Sequence, residues 1–168
     1  MDCSTVSLIG MPGAGKSTVG VLLAKQLGLN FVDTDLLIQV DQGEPLQQSV
    51  DRLGFDAFCE LEESVVMAMP LDRYLVATGG SVVYSDTAMA RLRAGGPVVY
   101  LEVSLPELET RIEARPDRGI AFAPGQTLSD IFQKRQPLYQ QFADLSLSCE
   151  AQSAEATATL IADWLRSR

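Results

Sequence analysis

Apolar residues along the chain fall into short runs separated by amphipathic stretches. Val6-Ser7-Leu8-Ile9, Phe31-Val32-Asp33, Tyr74-Leu75-Val76-Ala77 and Val98-Val99-Tyr100-Leu101 each have the length of one strand. Near-continuous apolar runs of this size suit parallel strands buried on both faces. A weaker fifth strand is expected near Asp144–Leu147. Between the runs the pattern turns helical. Helices are predicted at about Lys16–Leu27, closed by Gly28, and in pieces from Leu36 to Met69, broken near Gly43-Glu44-Pro45 and at Gly54. Further helices are predicted at Asp86–Arg93, stopped by Gly95-Gly96-Pro97, and at Leu105–Ala114, Leu128–Phe142 and Ala154–Leu165. Phe55, Phe58, Leu61, Val65 and Met69 have the spacing of a core-facing stripe. Arg115–Gln126 holds two Pro and two Gly without periodicity and reads as a loop. Strands alternating with helices imply an α/β fold, a parallel sheet covered on both faces. There is no internal repeat or linker, so one domain, 1–168, is expected.

Composition narrows the function. A length of 168 residues with 46% apolar and 21% charged residues is that of an ordinary globular domain. Thirteen Lys and Arg against 22 Asp and Glu give a formal charge of −9. Such a surface repels phosphate backbones and anionic lipid, so neither nucleic acid nor membrane is an expected partner. An anionic small molecule would need a local pocket of Lys and Arg. The chain has no histidine, which removes histidine triads, histidine bases and histidine metal sites. Cys3, Cys59 and Cys149 form no C-x-x-C pair, and so sparse a set suits a reducing compartment. With no basic, apolar leader and no run of ~20 apolar residues, a cytoplasmic location is expected.

Gly10-Met11-Pro12-Gly13-Ala14-Gly15-Lys16-Ser17 satisfies G-x-x-x-x-G-K-[ST]. It lies between a predicted strand and a predicted helix, the context in which the pattern has meaning. The loop's N–H groups, including those of Gly13, Ala14, Gly15, Lys16, Ser17 and Thr18, can converge on phosphate oxygens at a helix N-terminus. Lys16 would bridge β- and γ-phosphates, and the Ser17 hydroxyl would ligate Mg²⁺. The plainer alternative is a Gly-rich turn with a capping serine. A guanine-reading N-K-x-D is absent, and Asp51-Arg52-Leu53-Gly54 matches D-x-x-G by letter only, within a helical context. Asp33-Thr34-Asp35 follows the second strand, so its carboxylates would face the phosphate loop at the carboxyl edge of the sheet. They could serve Mg²⁺ and a substrate hydroxyl, or simply cap the next helix.

Taken in order, Gly10–Thr18, Phe31-Val32-Asp33-Thr34-Asp35, Ala77-Thr78-Gly79-Gly80, Arg118 and Arg135-Gln136-Pro137-Leu138-Tyr139 resemble the shikimate kinases over nearly the whole chain. The resemblance implies a three-layer α/β/α fold with a five-stranded parallel sheet in the order 2-3-1-4-5. It also implies a substrate-binding helical segment at about 34–62 and a lid at about 112–126. The implied activity is transfer of the ATP γ-phosphoryl, with Mg²⁺, to a hydroxyl of a small metabolite, shikimate above all, within aromatic amino-acid biosynthesis. A monomer is implied. On the family pattern Asp33 supports Mg²⁺ and Asp35 binds the acceptor hydroxyl and acts as base. Gly79 and Gly80 offer N–H groups to substrate, Arg111 stacks on adenine, Arg118 closes over the γ-phosphate, and Arg135 anchors the substrate carboxylate. Without that pattern Arg135 would read as a solvated helical charge.

The chain departs from the family in its acceptor half. Cys59 stands where a Phe-Arg-x-x-Glu stretch has its arginine, Ser81 replaces the third glycine of a Gly-Gly-Gly turn, and the lid reads Arg118-Gly119-Ile120-Ala121. A charge-assisted hydrogen bond is worth about 1.5–3 kcal/mol. An uncompensated loss would weaken carboxylate binding by roughly one to two orders of magnitude. Arg52, Arg73 and Arg115 are candidate substitutes. Cys59 and Ser81 either line the substrate pocket, as their family positions imply, or, for Cys59, fill a helix interface as a small hydrophobe. Glu60, Glu62 and Glu63 read as a solvated face, with Glu62 alone at a family position that could orient a binding group. Two alternatives stay open: a kinase for another hydroxy acid, amino-acid alcohol or sugar acid, and a nucleotide-binding regulator without turnover.

Overall fold

The computed structural model describes residues 5–114 and 119–168. Its five strands are β1 (Thr5–Ile9), β2 (Asn30–Asp33), β3 (Tyr74–Ala77), β4 (Val98–Glu102) and β5 (Leu145–Ser148). They pair in parallel in the order β2-β3-β1-β4-β5, as expected. All five residues of β1 are buried, which is why its run reads as continuously apolar. β5 is an edge strand in which Leu145 and Leu147 alternate with exposed Ser146 and Ser148, so its signal in the sequence is faint.

Among the described residues eight helices follow the predicted breaks: α1 (Lys16–Leu27), α2 (Thr34–Gln42), α3 (Leu46–Leu53), α4 (Phe55–Ala68), α5 (Asp86–Gly95), α6 (Leu105–Glu113), α7 (Leu128–Phe142) and α8 (Ala154–Arg166). Asp51–Leu53 lies inside α3, so the D-x-x-G match is incidental. A 3₁₀ turn at Val82–Tyr84 is not announced by the pattern, being too short for a period. α1 packs on α8, while α2, α3 and α4 pack on one another.

The main core joins the sheet to the helices around it, with Val6, Leu8, Leu75, Val99, Leu101, Leu92 and Ile161 all inaccessible. A second, smaller cluster of Ile38, Leu46, Val50, Phe58 and Ala121 ties α2, α3 and α4 to the segment after residue 118. The register sets the site: Asp33 lies opposite Ala77, and Ala77 opposite Leu8. The loop after β1, the turn after β3 and the start of α2 therefore meet at one carboxyl edge, where ligands of such sheets bind.

Candidate active site

The phosphate loop leaves β1 at Gly10, whose φ is 147° and where a Cβ would stand 2.8 Å from the Leu101 carbonyl of β4. Gly13 and Gly15 also have positive φ, 89° and 95°, which a side chain would strain. α1 has neither a side-chain cap nor an acidic residue in its first turn, so its opening N–H groups are left for an anion. Lys16 is buried and donates to the carbonyls of Gly10 at 2.7 Å and Met11 at 2.9 Å. Arg111 on α6 reaches the same loop, donating through Nη1 to the Gly13 carbonyl at 3.3 Å and pairing through Nε with Glu107.

Asp33 shows that capping and chemistry are not alternatives here. Its Oδ1 accepts from the Asp35 N–H at 2.9 Å, starting α2, while its Oδ2 accepts from the Ser17 hydroxyl at 2.5 Å. The cap fixes Asp35 in the first turn of α2. Asp35 lines a cavity of about 350 Å³ that runs from Lys16 and Ser17 to Glu62, Gly80 and Arg135.

Arg135 lies at the far end of that cavity and is 1% exposed, which removes the solvated-helix reading. Its Nε donates to the Tyr84 hydroxyl at 3.2 Å and its Nη2 to the Ala121 carbonyl at 3.0 Å, and the guanidinium sits 5.2 Å from the centre of the Tyr84 ring. Nη1 points toward Gly80, where a Cβ would come within 3.0 Å of it. One edge of the guanidinium is thus held by protein, and the other faces the cavity. One turn on, the Tyr139 hydroxyl donates to the Gly80 carbonyl at 2.5 Å, and its ring stacks on Tyr100 with centroids 5.1 Å apart. Burial pushes the Tyr139 phenol well above its usual range, so it serves as a fixed donor.

Gly79 contributes differently from the expectation. Its N–H donates to the Thr34 hydroxyl at 2.8 Å and is therefore already engaged within the protein. Its lack of a side chain is what matters, because a Cβ there would collide with Glu62 Oε1 and stand 2.8 Å from Asp35 Oδ1. Cys59 is half-buried on α4 and is not among the residues lining the cavity, where Ser81 and Glu62 are. Burial, then the Glu62 charge, pushes the Cys59 thiol up to about 11.

Glu62 is the largest surprise relative to a solvated acidic face, being 1% exposed. Its Oε2 accepts a short hydrogen bond from Ser81, and among the described residues its Oε1 has no hydrogen-bond partner. Burial first, and the Asp35 charge second, raise its pKa to about 7. Of the three proposed substitute cations, the two that are described do not line the cavity: Arg52 pairs with Glu44 at the surface, and Arg73 donates to the Gly28 carbonyl. Arg115 and Arg118, together with part of the expected lid, lie outside the described residues. Nothing in the sequence pattern gives Tyr84, Thr34 or Tyr139 a role of its own; for Tyr139 the i, i+4 spacing from Arg135 is the available signal.

The sequence profile described as Shikimate kinase matches residues 12–166. The chain belongs to the shikimate kinase family. It is 40% identical over 141 residues to the shikimate kinase of Pseudomonas entomophila, covering 82% of each chain. To shikimate kinase 1 of Sodalis glossinidius it is 36% identical over 166 residues, 96% of each chain. Among solved structures it resembles shikimate kinase from Acinetobacter baumannii in complex with shikimate, with a TM-score of 0.88, 27% identity and coverage of 98% and 93%. It also resembles shikimate kinase from Aquifex aeolicus, with a TM-score of 0.80, 25% identity and 96% coverage of both. As a family member the chain is a phosphotransferase that takes phosphate from ATP and delivers it to an alcohol group of a small molecule. Among the described residues no helix is long and apolar enough to cross a membrane.

Proposed function

We propose that this enzyme phosphorylates shikimate, giving shikimate 3-phosphate. The observation that carries the reading is the buried Arg135 guanidinium, presenting Nη1 to the same cavity that Asp35 enters from the phosphate-loop side. A ligand with a carboxylate at one end and a hydroxyl at the other would span the two. The guanidinium suits a carboxylate because its donors are fixed in a plane and always charged. Asp35 accepts the hydrogen bond of the acceptor hydroxyl and takes its proton as the new P–O bond forms.

On the donor side the N–H groups of Gly13 to Thr18 cradle the phosphates, and Lys16 leaves the Gly10 and Met11 carbonyls for the phosphate oxygens. Ser17 and Asp33 fit a divalent cation in their chemistry: two adjacent hard oxygen donors, one hydroxyl and one carboxylate, already hydrogen-bonded to each other. When bound, Mg²⁺ offsets charge on the phosphate oxygens. Arg111 lies against the phosphate loop, where it can cover the adenine, and Arg118 takes the lid role of its family position, stabilising charge on the transferring group. Catalysis is then positioning and electrostatics, with water kept from the γ-phosphate.

The test is ADP release from MgATP with shikimate, with the phosphorylated product identified by mass, in the wild-type protein and in Asp35→Asn. Shikimate-dependent ADP release that falls by about two orders of magnitude or more in Asp35→Asn is expected. Folded protein that binds MgADP but releases no ADP on adding shikimate overturns the reading.

A further inference from the structure

The acceptor pocket carries one group that the phosphoryl transfer does not use. Glu62 lines the cavity and is 1% exposed, yet among the described residues Oε1 has no hydrogen-bond partner. Residues 59 and 62 are one helical turn apart on α4, so a cation at 59 would stand on the face that Glu62 presents. The chain has Cys59 there, and Ser81 supplies a single donor, to Oε2. A buried carboxylate with a free oxygen is costly until a proton or a donor reaches it. The charged groups that bear on it are Asp35 from α2, Arg135 from α7 and Lys16 from α1, with the Cys59 thiol beside it on α4. Oε1 rests against Gly79. The final torsion of a glutamate is soft, so turning that oxygen toward a ligand is cheap.

We propose that Glu62 is a specificity-determining residue that reads a hydrogen-bond donor on the acceptor, and that this pocket accepts a hydroxy acid bearing an ammonium group where shikimate has one of its non-reacting hydroxyls. This rests on the shikimate kinase reading of the same cavity. Among the described residues the charged groups lining the cavity are Asp33, Asp35 and Glu62 with Lys16 and Arg135; with Asp33 and Lys16 serving the donor phosphates and Arg135 the acceptor carboxylate, an added positive charge on the ligand answers the charge left on Glu62. A neutral hydroxyl can supply the donor. An ammonium supplies the donor and the charge together, which strengthens the bond.

The experiment measures kcat/KM for shikimate and for its amino analogues, each with one non-reacting hydroxyl replaced by ammonium, in wild type, Glu62→Gln and Cys59→Arg. At least one amino analogue should be phosphorylated by wild type within about tenfold of shikimate. Glu62→Gln should lower the amine-to-shikimate ratio by roughly ten- to a hundredfold, the scale of one charge-assisted bond. Cys59→Arg, which gives Glu62 a partner within the protein, should move the ratio the same way, so the inference does not hang on one variant folding. Turnover of shikimate with every amino analogue more than a thousandfold worse overturns the inference and leaves the shikimate reading intact. Turnover of an amine without shikimate supports the inference and overturns that reading. A ratio unchanged in both variants overturns the inference, and turnover of neither acceptor class overturns both.

Discussion

Removing one oxygen atom tests how the acceptor site is held in shape. In Tyr139→Phe the ring keeps its place against Tyr100 and only the hydroxyl that donates to the Gly80 carbonyl at 2.5 Å is lost. The hydroxyl is fully buried, whereas Gly80 is partly open to the cavity. Its carbonyl can therefore recover a water, and the cost should lie near the lower end of the range for an orphaned group, about 1 kcal/mol. In a chain of this size that corresponds to a fall of about 2–4 °C in Tm. The same bond fixes Gly80 opposite Arg135 Nη1, whereas the hydroxyl's contact with the phosphate loop is a long one to Met11 Sδ at 3.9 Å, so the carboxylate subsite loosens more than the phosphate loop. A KM for shikimate raised about three- to tenfold is expected, with MgADP affinity within twofold of wild type. Calorimetry and the ADP-release assay read both. An unchanged Tm with an unchanged KM would refute the positioning role of Tyr139, and equal losses of nucleotide and acceptor affinity would show that the change spreads through the core instead.

Two further outcomes follow from the same geometry. Because Glu62 has a folded-state pKa of about 7 against an ordinary 4.5, the folded protein holds more protons between those values, and its stability should fall as pH rises from about 4.5 to about 7. The slope from this group reaches at most roughly 1.4 kcal/mol per pH unit; Glu62→Gln should lack it, so denaturation across that window for both proteins checks the sign, and identical pH profiles would count against it. Gly79→Ala drives a methyl into Glu62 Oε1 and toward Asp35 Oδ1, so kcat/KM for shikimate should fall at least about tenfold while MgADP binding is kept, at an overpacking cost of about 1–3 kcal/mol. Wild-type kinetics in that variant would mean the carboxylates have more room than the structure gives them.

What the chain declares by itself is periodic or local. The apolar runs that become β1, β3 and β4 are legible because both faces of those strands are buried, and the helix breaks at Gly43 and Gly54 because glycine there has positive φ. The phosphate loop is legible because its chemistry is carried by backbone and by residues adjacent in sequence. The acceptor half is otherwise. Arg135, Glu62 and Tyr139 come from two helices and face a turn after β3, and nothing within their own helices distinguishes a buried charge from a solvated one. Only the packing of α4 and α7 around the Gly79–Ser81 turn decided that Arg135 is held by Tyr84 and Ala121, that the Gly79 N–H goes to Thr34, and that Cys59 stands outside the cavity lining. Burial and hydrogen-bond partnership over such separations are properties of the assembled fold. The sequence names the residues there, and the tertiary contacts settle which of them are fixed to the protein and which remain to meet a ligand.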